Sequence, residues 1–304
     1  TRKELLTNKR QIKPYNIFTI HEPKTREIIS TQFEDRVIQT SLNDNYLYDT
    51  ITKSFIYDNH ACQVGKGTDL ARERLKAHMQ RYYRKYGTKG YVLSIDFKNY
   101  FGNTRHDVAK ESVRKNVGDE WALMHIDMII DSYNHGEDPE IGMGLGSPIT
   151  QLTQLALPNG IDYMIKEELK IRFSLRYMDD TIIVHHDKEH LKHCLKRIKE
   201  DLEPLGIKVN VKKTQIHKLK QGIKFLGFTF KLANTGKVLM LLDKDNVKKR
   251  RRKIKKHKGL LDKGKMTEEQ IEQSFEGWKA HAEKGNSYNT IKSVEKFYRK
   301  TMMG

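Results

Sequence analysis

Residues 176–184 read RYMDDTIIV, and no other stretch constrains the fold as tightly. Thr181 to Val184 is β-branched and apolar, as in a half-buried strand, yet the adjacent carboxylates Asp179 and Asp180 precede it directly. Neighbouring anions repel, and as surface decoration the pair would be poorly placed. The arrangement becomes sensible at the tip of a hairpin, where the turn exposes both side chains and a divalent cation offsets their repulsion. This predicts a site for a hard, oxygen-preferring metal, with a third carboxylate supplied from elsewhere. The stretch GYVLSIDF offers one: a strand starting after Gly90 delivers Asp96 at its end.

Charge narrows the partner. The 304 residues carry 57 Lys and Arg against 39 Asp and Glu, a formal charge of +18, and a field of that sign favours a polyanion. Nucleic acid fits the basic footprint. A membrane surface competes as a polyanion, but no apolar run approaches the roughly 20 residues needed to span a bilayer, and no signal-peptide pattern opens the chain. Cys62 and Cys194 are too few for a disulfide framework, so a reducing cytoplasm is the expected setting. The chain opens at Thr1 without a Met, so an upstream segment is either cut away or absent from this sequence. Length suggests two domains or one domain with lobes.

YNIFTIHEPKTREIIS reads as two short strands around a polar turn, with Lys24 and Arg26 just past the tip. Apolar spacing predicts helices over 33–48, 68–86 and 104–134, and the Gly-rich IGMGLGSPIT leads into another long helical pattern. DKEHLKHCLKRIKEDLEPLG is amphipathic and closed by Gly206, while IKVNVKKTQI and IKFLGFTFKL read as strands. A basic helical segment opens with VKKRRRKIKKHKGLL and runs, after a short polar break, to the C-terminus. Strands and helices mix without regular βαβ alternation, so an α+β fold is expected, with a boundary near residue 243. Two stretches mimic sites: GKGT at 65–68 lacks the spacing of a phosphate loop. His186, His190, His193 and Cys194 have tempting zinc spacing, but Cys194 shares an apolar stripe with Leu191, which favours core packing.

Together, Asp96, Asp179 and Asp180 can hold two Mg²⁺ ions about 3.5–4 Å apart, activating a hydroxyl and stabilising a leaving pyrophosphate. With YMDD and LSIDFKNYF the chain resembles the reverse transcriptases. GLGSPITQ is similar to that family's template- and nucleotide-contacting motif, LGIKVNVKKTQI to its lysine-bearing motif and FLGF to its primer grip, all in the family's order from about Ile12 to Tyr298. The resemblance implies a right-hand polymerase with an RRM-like palm sheet: fingers and part of the palm at 1–90, palm with interleaved fingers helices at 91–242, and a helical thumb at 243–304. It implies RNA-directed DNA synthesis with two Mg²⁺ ions, Mn²⁺ being able to substitute.

Residue by residue, the resemblance makes Asp96 and Asp179 the bridging metal ligands, with the Phe97 carbonyl beside them and Asp180 completing the charge. Phe101 matches the aromatic gate against ribonucleotides, and Gln151 the nucleotide or template contact. Lys24 and Arg26 match the fingers cations on the triphosphate. Lys213 matches the lysine that protonates pyrophosphate, with Lys212 beside it leaving the choice open. Gly227 falls in the primer grip, and Lys248, Lys249, Arg250, Arg251 and Arg252 would lie on the template-primer backbone. Trp278, His281 and Tyr288 resemble the close of the thumb, or pack helices together.

EPKTREI, FEDRVIQ and SFIYDNHACQVGKGT look most like the bacterial enzymes of diversity-generating retroelements, although Thr150 stands where those usually have Ser. That branch implies template RNA, a primer or cDNA duplex, deoxynucleotides, a structured non-coding RNA, a small basic accessory protein and error-prone copying of adenines. It implies a bacterial or phage-encoded cytoplasmic enzyme that engages no membrane. No ribonuclease H, integrase or endonuclease is expected after the thumb in this sequence, so template removal or DNA insertion would need host factors or partners. The rival readings are a phage-defence enzyme with protein- or RNA-primed, untemplated synthesis, and a non-catalytic RNA-binding scaffold.

Overall fold

The structure, a computed structural model, describes residues 2–7, 9–21, 25–133 and 138–303. The chain divides into two compact units, Thr1–Ala71 with Leu93–Ile216, and Arg72–Val92 with His217–Gly304. In chain order the helices and strands are α1 (Arg2–Leu6), β1 (Asn16–Ile20), β2 (Arg26–Ser30), α2 (Phe33–Leu42), α3 (Tyr48–Thr52), α4 (Thr68–Tyr86), β3 (Tyr91–Asp96), α5 (His106–Arg114) and α6 (Glu120–Asp131). They continue as α7 (Pro148–Ala156), α8 (Asn159–Tyr163), β4 (Phe173–Tyr177), β5 (Asp180–His185), α9 (Lys188–Leu202), β6 (Gln215–Lys218), β7 (Ile223–Phe225), β8 (Phe228–Leu232), β9 (Val238–Leu242), α10 (Lys244–Leu261), α11 (Glu268–Glu283) and α12 (Tyr288–Met303).

In the first unit β1 and β2 form an antiparallel hairpin, and a four-stranded sheet runs in the order β4-β5-β3-β6. Non-consecutive neighbours in that order mark an α+β sheet built by crossovers. Helices α2, α5, α6 and α7 bury their apolar faces together, around Leu47, Ile51, Val113, Ile126, Ile130, Ile149 and Leu155. The second unit holds the β7-β8-β9 meander and the helices α10–α12, of which α10 and α12 are basic and α11 acidic. There Ile254, Phe275 and Val294 make a small separate core.

Several expected elements are shorter than the pattern suggests. The 104–134 helix is two helices, because Asp119 caps α6 by accepting the Ala122 N–H and restarts the chain. The helix after GSPIT breaks at Leu157–Pro158, since proline lacks the N–H a helix interior needs. IKVNVKKTQI is a strand only at its end: the Asn210 carbonyl accepts the N–H groups of Lys213 and Thr214, curling 210–214 into a turn. IKFLGFTFKL is a hairpin, in which Phe225 pairs with Phe228 around Leu226 (φ +45°) and Gly227 (φ +86°). Paired positive φ values at a two-residue loop match the twist of the flanking strands. The C-terminal basic segment breaks twice and makes three helices.

Gly144 shows how tightly the first core closes. A Cβ there would sit within the ring edge of Tyr133, and Tyr133 is buried and stacked on Tyr15 at 5.0 Å. A buried ring cannot swing away. Gly144→Ala is expected to cost about 1–3 kcal/mol by overpacking, which calorimetry would read as a fall of about 3–10 °C in Tm.

Candidate active site

The paired carboxylates sit where the sequence placed them, on a hairpin. Tyr177 pairs with Asp180 across the β4–β5 ladder, which leaves Met178 and Asp179 as a two-residue loop. Met178 has φ +52°, a left-handed value that a bulky residue adopts only when its surroundings enforce it. The enforcing group is Arg176. Its guanidinium donates to the Met178 carbonyl at 3.1 Å and the Leu155 carbonyl at 3.0 Å, and holds Asp162 through Nε (2.9 Å to Oδ1) and Nη2 (2.7 Å to Oδ2). Arg176 and Asp162 are 2% and 4% exposed, so each neutralises the other in a medium where a lone charge would be untenable. The backbone of Arg176 is also paired, its N–H to Asp58 O and its carbonyl to the N–H of His60.

Tyr100 completes this under-structure. It is buried, its hydroxyl donates to the Gln154 carbonyl at 2.6 Å, and burial pushes its phenol far above the usual range. The charges of Arg176, Asp179 and Asp162 act on it as well, so Tyr100 stands within electrostatic reach of the turn.

Asp96 ends β3, the strand directly beside β5, which Asp180 opens. The segment 208–214 is laid along the other side of Asp96. Asn210 N–H donates to the Asp96 carbonyl at 2.7 Å, Lys98 N–H to the Lys208 carbonyl at 2.7 Å, and Asp96 N–H to Thr214 Oγ1 at 3.3 Å. Phe97 faces Val209 in this antiparallel bridge. Because Asp96 O and Lys98 N point toward 208–210, alternation turns the Phe97 carbonyl away from that segment. Lys213 Nζ lies 2.5 Å from Asp96 Oδ2, which answers the choice between the two lysines as far as contact with Asp96 is concerned. Asp96 Oδ1 is buried with no hydrogen-bond partner among the described residues.

Phe101 follows in a short 3₁₀ turn, Phe101–Asn103, its ring 6.0 Å from Tyr100 and packed with Tyr177 and Met178 against the core. Gln151 lies in the first turn of α7, its side chain reaching the Leu145 carbonyl at 3.3 Å, with Cys62 Sγ 3.5 Å from its Oε1. Thr150 is buried and donates to the Gly144 carbonyl at 2.6 Å. Lys24 and the side chain of Arg26 lie outside the described residues.

In the second unit, Gly227 closes the β7–β8 turn. Arg72, on α4, donates to the Leu226 carbonyl at 3.2 and 3.0 Å and lies over the Phe228 ring, while the His281 ring packs tilted against Phe228 at 5.0 Å. Trp278 donates to Asn246 Oδ1 at 2.9 Å and packs on Phe275, and Tyr288 is exposed beneath Lys292. On α10, Lys248, Lys249 and Arg252 are exposed and Arg251 donates to Ser293. Arg250 turns inward: it is 5% exposed, packed on Phe275 and Trp278 and bonded to Ser274. That orientation makes it a packing residue of the helical bundle rather than a phosphate contact. Cys194 is buried beside Leu191 and Ile198, and the rings of His185 and His190 meet tilted, 4.6 Å apart. No helix among the described residues is long and apolar enough to cross a membrane.

Carboxylates and a main-chain carbonyl form a hard donor set, and the orphaned Asp96 Oδ1 is an acceptor that a cation would satisfy. Among the described residues, no three His, Cys, Asp or Glu side chains converge closely enough to hold an ion by themselves. The donor set still fits Mg²⁺, which is bound through one or two carboxylates plus substrate phosphates rather than in an all-protein cage.

Arg176, Asp162 and Tyr100 escaped the sequence reading. The signal was present: an Arg inside the apolar strand FSLRY and an Asp inside NGIDYMI each require a partner once buried.

The sheet order β4-β5-β3-β6, with an acidic turn joining its first two strands and Asp96 closing the third, is that of the palm of a right-hand polymerase fold. Solved structures bear out that fold. The telomerase of Candida albicans in complex with a fragment of telomeric RNA aligns at TM-score 0.56 and 13% identity over 98% of this chain and 62% of its own. Apo telomerase of Candida tropicalis truncated from its C-terminal domain aligns at TM-score 0.54 and 14% identity over 76% and 56%. The chain thus spans little more than half the length of these neighbours. No curated protein matches it by sequence. The family model for reverse transcriptase (RNA-dependent DNA polymerase) matches residues 20–230, and the chain belongs to that family.

Proposed function

We propose that the chain copies RNA into DNA by two-metal nucleotidyl transfer. The observation that carries this is Asp96 at the end of β3, one strand from the turn that presents Asp179 and Asp180. Bound divalent ions would supply Lewis acidity to the primer hydroxyl and the triphosphate. Asp96, Asp179 and the Phe97 carbonyl would hold them, and Asp180 would add negative charge at the same edge. Phe101 serves as the gate against a ribose 2′-hydroxyl, Gln151 orients the base or template, and Lys24 and Arg26 neutralise the triphosphate. Lys213 gives a proton to the leaving pyrophosphate.

Residues 1–90 serve as fingers with part of the palm, 91–242 as palm and 243–304 as thumb. Gly227 lies under the primer end, and Lys248, Lys249, Arg251 and Arg252 follow the duplex backbone. The RNA fragment bound by the Candida albicans telomerase supports an RNA partner. The motifs EPKTREI and SFIYDNHACQVGKGT support the diversity-generating branch, with its template RNA, structured non-coding RNA and small basic accessory protein, in a bacterial cytoplasm.

Primer extension on an RNA template with Mg²⁺ and deoxynucleotides tests this. Templated DNA is expected, with substitutions clustered opposite template adenines if the branch is right. Homopolymer independent of the template would overturn it. Phe101→Ala is expected to raise ribonucleotide incorporation by about 10–100-fold, the loss of a contact of about 1–3 kcal/mol, and unchanged discrimination would remove the gate. Neutralising Lys248, Lys249, Arg251 and Arg252 together is expected to flatten the plot of log affinity against log salt, each lost phosphate contact changing the slope by about 0.9. An unaltered slope in filter binding would take these residues off the duplex.

A further inference from the structure

We propose that Lys213 is a tethered counter-cation for Asp96, displaced from the carboxylate when a divalent ion is bound, so that loading the site and freeing the ammonium are one exchange. The proposal rests on the polymerase reading of Asp96 and goes beyond it.

Lys213 Nζ is 2.5 Å from Asp96 Oδ2, and the two side chains are 53% and 11% exposed. The carboxylate is thus nearly enclosed, while the lysine stem runs through solvent. The backbone under that stem is anchored to Asp96 itself: Asn210 N–H donates to the Asp96 carbonyl at 2.7 Å, Asp96 N–H donates to Thr214 Oγ1, and the Asn210 carbonyl accepts the Lys213 N–H at 3.1 Å. A flexible four-carbon arm on a fixed base can release its charge without moving the strand.

A structural ion pair would be expected to satisfy both carboxylate oxygens, as buried polar groups generally are. Here Oδ1 is buried and has no hydrogen-bond partner among the described residues, so the ammonium leaves one of the two acceptor oxygens unmet. An ammonium and a divalent ion on the same carboxylate repel each other strongly at such short range. Binding one expels the other. The displaced side chain stays within its own length of the site, tethered by the fixed backbone at 210–214. In the empty enzyme the same arm keeps Asp96 from standing as an unpaired, enclosed anion.

The test is Mn²⁺ binding to the full chain without RNA or nucleotide, read from the paramagnetic resonance of free Mn²⁺, with Asp179→Ala locating the ion at this site. Lys213→Met is expected to bind Mn²⁺ about fivefold more tightly than wild type, the competition of a partly exposed ion pair. In chelator, Lys213→Met is expected to melt below wild type, and the gap to close at saturating Mn²⁺. Lys213→Gln, which keeps a polar tip without the charge, is expected to follow Lys213→Met. Equal or weaker Mn²⁺ affinity in both variants, or a melting gap indifferent to Mn²⁺, would overturn the exchange and leave Lys213 an ordinary ion pair. A different failure belongs to the metal reading itself: no Mn²⁺ binding that Asp179→Ala removes, in wild type and variants alike, would sink both.

Discussion

Asp179→Ala is expected to slow templated primer extension by about 10³-fold or more while leaving the fold intact. A metal that polarises a phosphoryl oxygen contributes several kcal/mol to the transition state, and about 4 kcal/mol corresponds to three decades of rate. Stability should not follow. Asp179 lies half-buried in a two-residue turn, so its truncation opens no cavity in the core. Rapid-quench extension beside a melting curve separates the two quantities. Activity within about tenfold of wild type would take Asp179 out of the metal site. A parallel collapse of Tm would show that the residue serves the fold.

Arg176→Met is expected to damage both. It would leave Asp162 buried and unpaired, a loss of about 3–5 kcal/mol, or on the order of 10 °C in Tm. It would also remove the donor that holds the Met178 carbonyl, and with it the restraint on a left-handed residue next to Asp179. The double variant Arg176→Met with Asp162→Leu is expected to regain much of the stability, since apolar pairs of similar volume often replace buried ion pairs without cost. It should not regain activity, because nothing then fixes the turn. Recovery of both together would reduce the pair to a packing element. A single variant that costs less than about 1 kcal/mol would show that the ion pair contributes little even to packing.

Much of the chemistry is legible in the order of residues alone. Adjacent carboxylates ahead of a β-branched run demand a turn, and β4–β5 makes that turn. The pattern of GYVLSIDF puts Asp96 at a strand end, and it closes β3. Periodicity makes a helix of Thr68–Tyr86, and the fold agrees, because local spacing determines which face can be buried. Pattern misleads where backbone geometry outweighs composition. KVNVKK has the residues of a strand, but Asn210 satisfies two downstream N–H groups and turns the chain. FLGF lies within an apolar run, and the paired positive φ values at Leu226 and Gly227 fold it back on itself.

The order of types along the chain is therefore enough for the class of fold and for setting the carboxylates at a turn and a strand end, because these depend on local pattern. Partnership is decided in three dimensions. That Arg176 neutralises Asp162 beneath the turn, that Lys213 and not Lys212 holds Asp96, and that Arg250 faces the bundle while its neighbours face solvent all follow from which segments the sheet and helices bring side by side. The energy of a charge is set by its distance to the opposite charge and by its burial, neither of which is a property of position in the chain.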